Sequence, residues 1–157
     1  MRHGHACVVY DRDAEPGRGL AAEGATAVDS LAALVRTLPA PRVVWLMLPA
    51  GEITEAAISE LSALLGSGDV LIDGGNTFWK DDIRRAGELK AKGIHYIDVG
   101  TSGGVWGLER GYCLMIGGEA AVVQRLDPIF AALAPGMAGV PATATRKGRD
   151  PRAEQGY

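Results

Sequence analysis

Short apolar runs alternate along this chain with segments in which apolar residues recur every three or four positions. The first pattern is typical of buried β-strands, and the second is typical of helices that pack one face against a sheet. Strands and helices that alternate in this way build parallel sheets covered by helices. The pattern therefore predicts an α/β fold with a doubly wound, mostly parallel sheet.

Five runs are short and apolar enough to be predicted as strands. The clearest is Arg42 to Leu48, which ends at Pro49. A membrane helix needs roughly 20 apolar residues, so no membrane partner is expected. The other predicted strands are Ala6 to Tyr10, Val70 to Ile72, Ile94 to Val99 and Tyr112 to Ile116.

Helical periodicity is found between these strands. Asp29 and Ser30 are predicted N-caps of a helix whose apolar positions are Leu31, Leu34, Val35 and Leu38. A Gly-rich loop is expected from Gly100 to Gly111. A short helix is predicted near Gly19 to Glu23, and a longer one after Gly51, with Ile53, Ala57, Leu61, Leu64 and Leu65 on one face. Another is predicted through Ile83 and Ala86 and ends at Gly93. The last helical region runs from Glu119 to Leu133, with a break at Asp127-Pro128.

Composition and charge exclude several classes of function. The net charge is −3 and the 16 basic residues are scattered, so a nucleic-acid partner is not expected. Cys7 and Cys113 form no CxxC pair, which favours a reduced, cytoplasmic protein. The first residues form no apolar leader, and His3 and His5 are expected to be solvated. No metal site is predicted.

Three turns that contain glycine each follow a predicted strand. Parallel strands end at the same edge of a sheet, and open α/β sheets bind ligands along that edge. The glycines let the backbone approach a ligand or adopt positive φ, while Asn76 and Ser102 offer hydrogen bonds without net charge. The turns are Pro49-Ala50-Gly51, Asp73-Gly74-Gly75-Asn76 and Thr101-Ser102-Gly103-Gly104.

Asp11 ends the first predicted strand. In a dinucleotide-binding fold, an acidic residue at the end of the second strand accepts the ribose hydroxyls and lies about 20 residues after a Gly-x-Gly-x-x-Gly turn. Only ten residues precede Asp11. We therefore expect a Rossmann-like sheet that lacks its first strand and its phosphate-binding turn. With strand order 3-2-1-4-5-6, that loss leaves two unpaired edges in the middle of the sheet and an unstable fragment.

Four segments resemble the decarboxylating 6-phosphogluconate dehydrogenases, especially their shorter bacterial branch. A Ser-Gly-Gly loop also occurs across the wider β-hydroxyacid dehydrogenases, whereas the Asp-Gly-Gly-Asn turn together with the long Gly-Thr-Ser-Gly-Gly-Val-Trp-Gly segment is more specific. The segments are Leu46 to Gly51, Ile72 to Thr77, Asp98 to Gly107 and Gly111 to Gly118.

The resemblance implies which residues form the site. Leu48, Pro49, Ala50 and Asn76 would line the cofactor, and Asn76, Ser102, Gly103 and Gly104 would contact 6-phosphogluconate. In that family the substrate is oxidised at C3, loses carbon dioxide and becomes ribulose 5-phosphate, with a lysine and a glutamate on a later helix as acid and base. Trp106 lies in the proposed substrate loop, as a possible lining residue.

The resemblance also implies how the chain is divided. Residues 1–142 are expected to form a partial dinucleotide-binding domain, and 143–157 an irregular tail leading toward a helical catalytic domain. Lys147 lies in that tail without the family's surrounding pattern, so no catalytic residue is assigned. The isolated chain is expected to be inactive, and the full-length parent to form a homo-oligomer.

The cofactor and the exact activity stay open at this point. Asp11 would bind ribose hydroxyls and repel a 2′-phosphate, which favours NAD, whereas Arg12 could neutralise that phosphate and keeps NADP possible. Two other functions compete with the first. The chain could derive from another β-hydroxyacid dehydrogenase, such as one acting on 3-hydroxyisobutyrate, or it could be a non-catalytic remnant that binds a partner.

Overall fold

The structure of the chain, a computed structural model, describes residues 1–138, 148 and 150–157. The strands in this part of the chain are β1 (Val8–Val9), β2 (Thr26–Ala27), β3 (Val43–Leu46), β4 (Val70–Asp73), β5 (His95–Ser102) and β6 (Cys113–Gly117). The helices are α1 (Ala14–Ala22), α2 (Leu31–Thr37), α3 (Glu52–Leu64), α4 (Trp79–Lys90), α5 (Gly107–Arg110), α6 (Ala120–Arg125), α7 (Asp127–Leu133) and α8 (Pro151–Gln155).

The described strands form two separate hydrogen-bonded sheets. β1 and β2 are a parallel pair, and β3, β4, β5 and β6 form the second sheet in that order. β3, β4 and β5 are parallel, whereas β6 runs antiparallel to β5. This confirms the predicted α/β, mostly parallel fold. Among the strands that the structure describes, β1 and β3 each pair on one side only.

Both faces of the second sheet are covered. All four residues of β4 are buried, and its three apolar residues alternate between two apolar clusters. Leu71 packs with α2, α3 and α4, while Val70 and Ile72 pack with α6 and α7. The small sheet joins the first cluster through Val8 and Tyr10. This apolar cluster therefore connects the two sheets.

Several helix boundaries agree with the sequence. The Ser30 hydroxyl accepts a hydrogen bond from Ala33 N at 3.2 Å and caps α2 as predicted. The predicted break at Asp127-Pro128 separates α6 from α7, although Asp127 makes no capping hydrogen bond. Proline is tolerated there because the first N–H groups of a helix have no partner within it.

The apolar face of α3 differs from the predicted one. Its buried residues are Thr54, Ile58 and Leu61, whereas Ile53 and Leu64 are more than a third exposed. The helical spacing is right, but the face is rotated. The Thr54 hydroxyl can be buried because it donates a hydrogen bond to the Pro49 carbonyl at 2.8 Å.

Two short elements near the start of the chain were predicted wrongly. α1 begins at Ala14, not near Gly19, because the Asp13 carboxylate caps it by accepting from Glu15 N at 3.0 Å. β2 was not predicted at all, since two residues carry too little alternation to reveal a strand. It forms by pairing with β1 in parallel register, with Val8 opposite Thr26.

The Gly-rich segment from Gly100 to Gly111 is mostly regular structure and not the predicted loop. β5 continues through Ser102, because β6 pairs with it there, and a 3-10 turn at Gly104–Trp106 leads into α5. Part of the predicted tail is also regular. Residues Pro151–Gln155 form α8, capped by Asp150, while Lys147 and the boundary at 142–143 lie outside the described residues.

A buried carboxylate fixes the start of the second sheet. Asp69 lies just before β4 and accepts hydrogen bonds from Arg42 N at 2.7 Å, from Gly66 N at 2.9 Å and from Arg42 Nη1 at 3.1 Å. Burial opposes the charged form, but these bonds hold the pKa of Asp69 below its usual value. The contact aligns the first residues of β3 and β4.

Asp69→Asn should lower the free energy of unfolding by about 2 kcal/mol near neutral pH, because the hydrogen bonds to a charged acceptor are weakened. A lowered pKa in the folded state stabilises the fold above the unfolded pKa and loses that effect as the pH falls through the folded pKa. In urea unfolding, the gap between wild type and variant should therefore shrink below about pH 4. Exposed Glu60→Gln is the control, and a gap that stays constant down to pH 3 would contradict the assignment.

Candidate functional site

The ends of β3 and β4 lie at one level. Leu46 is paired with Asp73, and Asp73 with Asp98, so the segments that follow β3 and β4 leave the sheet at the same edge, whereas β5 continues as far as Ser102. The segment after β4 touches the end of β3, since Gly74 N donates to the Leu46 carbonyl at 2.9 Å. The structure thus brings the Pro49 turn and the Asn76 turn together as predicted from the strand order.

The glycines of the Asn76 turn serve packing. A Cβ on Gly74 would collide with the Trp45 indole and the Met47 sulfur, and one on Gly75 would lie 2.8 Å from the Leu48 carbonyl. Neither glycine has a positive φ. The positive φ that the sequence allowed for these glycines is therefore not used, and the approach of their backbone to a ligand stays a prediction. They are needed because the two turns pack directly against each other.

The Pro49 turn leads into the longest described helix. Pro49 and Ala50 are exposed, and Leu48 is half-buried. Gly51 has a φ of 95°, and a side chain there would meet open space. It precedes the 13-residue α3, whose first N–H groups lack partners within the helix. This end of α3 can therefore donate hydrogen bonds to a polar or anionic ligand at the edge.

A polar network lies beneath the Asn76 turn. Asp73 is 0% exposed, and its Oδ1 accepts from Gly75 N at 2.9 Å. Its Oδ2 is 3.3 Å from Arg85 Nη1 and 3.1 Å from the Tyr96 hydroxyl. The sequence did not reveal this network, because Arg85 lies on a highly charged helix and no local pattern distinguishes it from the neighbouring charged residues. Asn76 itself is exposed above it.

Burial and charge shift the titration of groups around the network. Burial raises the pKa of Tyr96, and the neighbouring Asp73 carboxylate raises it further, so the phenol stays a proton donor. Burial also opposes ionisation of Glu55, but hydrogen bonds from Arg85 and Arg84 lower its pKa overall. The pKa of Asp98 is raised, first by burial and then by the charges of Asp82 and Asp73.

The third turn lies further out than the other two. Ser102 is four positions beyond Asp98 on β5, about 13 Å along an extended strand, and is exposed. Gly104 has a φ of 50° with open space where a side chain would be, so the backbone is accessible there. Gly103 instead packs near the Tyr112 ring. Trp106 is 56% exposed, with the Arg110 guanidinium 4.9 Å above its ring.

Asp11 and Arg12 lie apart from these turns, in a depression of about 510 Å³ beside the small sheet. Asp11 Oδ1 accepts from Asp13 N at 2.9 Å, which leaves Oδ2 for another partner. Arg18 of α1 and Asp29 also line the depression, and the sequence had predicted neither as a site residue. The predicted site residues therefore fall into two groups on two sheets.

The fold and the strand-end turns define the nucleotide-binding domain of a dehydrogenase. The family model for the NAD binding domain of 6-phosphogluconate dehydrogenase matches residues 1–142, and the chain belongs to this family. Within the described residues, no helix is both long and apolar enough to span a membrane.

The relatives share this domain over part of their length. The NAD(+)-dependent, decarboxylating 6-phosphogluconate dehydrogenase of Haloferax volcanii is 40% identical over 136 residues, 87% of this chain and 44% of that protein. The structure of Plasmodium falciparum 6-phosphogluconate dehydrogenase, solved in its apo form and in complex with NADP+ and with 6-phosphogluconate, has a TM-score of 0.81 at 26% identity. The match covers 89% of this chain and 31% of that one.

A second solved structure extends the likeness to another activity. Mycobacterium tuberculosis 3-hydroxyisobutyrate dehydrogenase has a TM-score of 0.73 at 26% identity, over 81% of this chain and 43% of that one. The fold is thus common to several dehydrogenases. The chain spans less than half the length of the curated relatives it matches.

Gly74→Ala should destabilise the protein by about 2 kcal/mol, because the added methyl group would displace the Trp45 indole and the Met47 side chain. The matched control is Gly87→Ala on the exposed face of α4, where a Cβ meets open space and helix propensity should stabilise slightly. Chemical unfolding of both variants measures the effect. Equal midpoints for Gly74→Ala and wild type would show that the turns do not pack as described.

Proposed function

We propose that this chain forms the cofactor-binding part and one wall of the substrate site of an enzyme. The enzyme converts 6-phosphogluconate to ribulose 5-phosphate by oxidative decarboxylation. The observation that carries the proposal is the exposed Asn76 on a turn fixed to the end of β4 and packed against the Pro49 turn. The chain belongs to a family of NAD-binding domains, and open α/β sheets bind ligands at the carboxyl ends of their strands. Both facts support this edge as the place where the dinucleotide meets the substrate.

The described residues fit a nicotinamide dinucleotide. The depression beside Asp11 has room for a nucleoside, and the free Oδ2 of Asp11 can accept from ribose hydroxyls. Leu48, Pro49, Ala50 and Asn76 would hold the other half of the cofactor at the edge of the second sheet. When bound, the nicotinamide supplies the hydride acceptor for the oxidation.

NAD is the proposed cofactor, with NADP as the second candidate. Asp11, Asp13 and Asp29 line the depression and would repel a 2′-phosphate, whereas Arg12 and Arg18 would attract one. Asp11 lies two residues after β1, near the strand end that is expected to meet the ribose. Its charge therefore favours a free 2′-hydroxyl.

The substrate wall would consist of Asn76, Ser102, Gly103 and Gly104. An amide, a hydroxyl and accessible backbone are neutral groups that can pair with the hydroxyls and carboxylate of a sugar acid. The positive φ and open space at Gly104 support a close approach of ligand to backbone. These residues bind and orient the substrate and exchange no proton with it.

The acid and base of the reaction are not assigned to any of these 157 residues, and Lys147 lies outside the described ones. We therefore expect these residues alone to bind ligands without turnover. A homo-oligomeric parent, a cytoplasmic location and the lack of a nucleic-acid partner stay predictions from the sequence.

The purified chain should bind NADH more tightly than NADPH in a fluorescence titration. Asp11→Ser should weaken NADH binding about tenfold, because hydrogen bonds from the ribose hydroxyls to a charged acceptor are lost, and should improve NADPH binding. Glu23→Ser removes one exposed negative charge outside the depression and is the matched control. Equal affinities of the wild type for both cofactors would contradict the NAD assignment.

Calorimetry on the same purified chain tests the substrate. With NADH saturating, 6-phosphogluconate should bind more tightly than 3-hydroxyisobutyrate, and Ser102→Ala should weaken the binding of 6-phosphogluconate. Tighter binding of 3-hydroxyisobutyrate would overturn the proposed substrate while leaving the dehydrogenase family intact.

A further inference from the structure

Two adjacent arginines on α4 have opposite surroundings. The Arg84 side chain is 44% exposed and pairs with exposed or half-exposed carboxylates, among them Glu55 at 2.7 Å. The Arg85 side chain is 1% exposed, which is rare for a charged group unless it is fully paired. The surroundings of Arg85 therefore need a specific explanation.

Arg85 binds carboxylates from three elements. Its Nε and Nη2 donate to Glu55 Oε1 of α3 at 3.0 and 2.6 Å. Its Nη1 lies 3.0 Å from Asp82 Oδ1 on α4 and 3.3 Å from Asp73 Oδ2 at the end of β4. The planar guanidinium can satisfy this arrangement because its donors point in fixed, divergent directions.

Asp73 and Asp82, two of the carboxylates that pair with Arg85, hold the Asn76 turn at two points. Asp73 accepts from Gly75 N at 2.9 Å, one residue before Asn76. Thr77, one residue after it, places its hydroxyl 3.0 Å from Asp82 and 3.2 Å from Asp73. Asn76 thus lies between two residues tied to carboxylates that Arg85 pairs. Its backbone has little freedom as long as these carboxylates stay in place.

Tyr96 of β5 completes the network from the neighbouring strand. Its hydroxyl lies 2.8 Å from Asp82 Oδ1 and 3.1 Å from Asp73 Oδ2, so it can donate to either carboxylate. A buried ion pair often adds less stability than well-packed apolar side chains would. The network is therefore better explained by the geometry it enforces than by the stability it adds.

We propose that Arg85 is a positioning residue: it holds Asp73 and Asp82 in place, and through them the Asn76 side chain, without touching cofactor or substrate. This inference rests on the proposed function, since the role it assigns is to orient a ligand-binding side chain. Tyr96 supports the same arrangement from β5.

Hydrogen exchange of the free chain tests the geometry without any ligand. In Arg85→Lys a single ammonium cannot reach all three carboxylates, and the Gly75 amide should exchange about tenfold faster than in wild type. Tyr96→Phe keeps every charge and should accelerate Gly75 to a smaller extent. Arg84→Lys is the matched control and should leave Gly75 unchanged. In each folded variant, the buried Ile97 amide on β5 reports the global stability.

A double-mutant cycle then tests the link to binding. Arg85→Lys should weaken NADH or 6-phosphogluconate binding about tenfold in the wild-type background, and should have almost no further effect once Asn76→Ala is present. Additive losses in the two backgrounds would mean that Arg85 acts only through overall stability, and would overturn the proposal. Arg84→Lys should change neither background.

The two ideas fail in different ways. If the wild type binds neither ligand, or Asn76→Ala changes nothing, the proposed function fails, and the positioning role is judged on the Gly75 amide alone. Gly75 exchange that accelerates only in step with Ile97, or not at all, would refute the positioning role. If Arg85→Lys is unfolded, Tyr96→Phe removes one donor to Asp73 and Asp82 and tests whether these carboxylates hold Gly75. Unchanged Gly75 exchange in that variant would overturn the proposal.

Discussion

Asp73 ends the central parallel strand with a carboxylate that has no access to solvent, and its charge has to be balanced within the protein. The balance comes from Arg85, from the Tyr96 hydroxyl and from the Gly75 amide, which belong to a helix, the next strand and the following turn. An unpaired charge at this depth would cost several kcal/mol, so these groups have to keep their relative positions. The edge of the sheet is thus built on a fixed electrostatic arrangement.

The turns at that edge are fixed in a second way, by contact with each other. The Gly74-Gly75 pair is required because Trp45, Met47 and the Leu48 carbonyl occupy the space that side chains would need. Polar pairing from below and close packing from the side therefore leave Asn76 as the exposed residue of the turn. Such preorganisation is what a binding site on a rigid scaffold needs.

The sequence predicted the fold well where local signals are strong. The strand at Val43–Leu46, the capped helix at Leu31–Thr37 and the break at Asp127 all follow from periodicity, capping and proline chemistry. It failed where pairing partners decide the structure: β2 exists because β1 lies beside it, and Gly100 to Ser102 are extended because β6 pairs there. The Arg85 network was missed for the same reason, since its partners lie 3 to 30 positions away in sequence.

The candidate site was predictable in part. The order of the strands sufficed to bring the Pro49 and Asn76 turns together, because parallel neighbours end at one edge. The sequence led us to expect that the strand before Asp11 would be separated from the main sheet, but it could not show that Arg18 and Asp29 share the depression with Asp11. The described part of the chain thus presents the depression beside Asp11 and the edge with the Pro49 and Asn76 turns on two sheets that share one apolar cluster.

The most direct test of this account is an NMR titration of the ¹⁵N-labelled chain with NADH. We expect the largest amide shift changes at Asp11 and Arg12, at Leu48, Ala50 and Gly51, and at Gly75 and Asn76. The groove between α3 and α4, lined by Ser59, Ser62 and Lys92, should be unaffected. Shift changes confined to that groove, or absent from the Asn76 turn at saturating NADH, would contradict the assignment of this edge as the cofactor site.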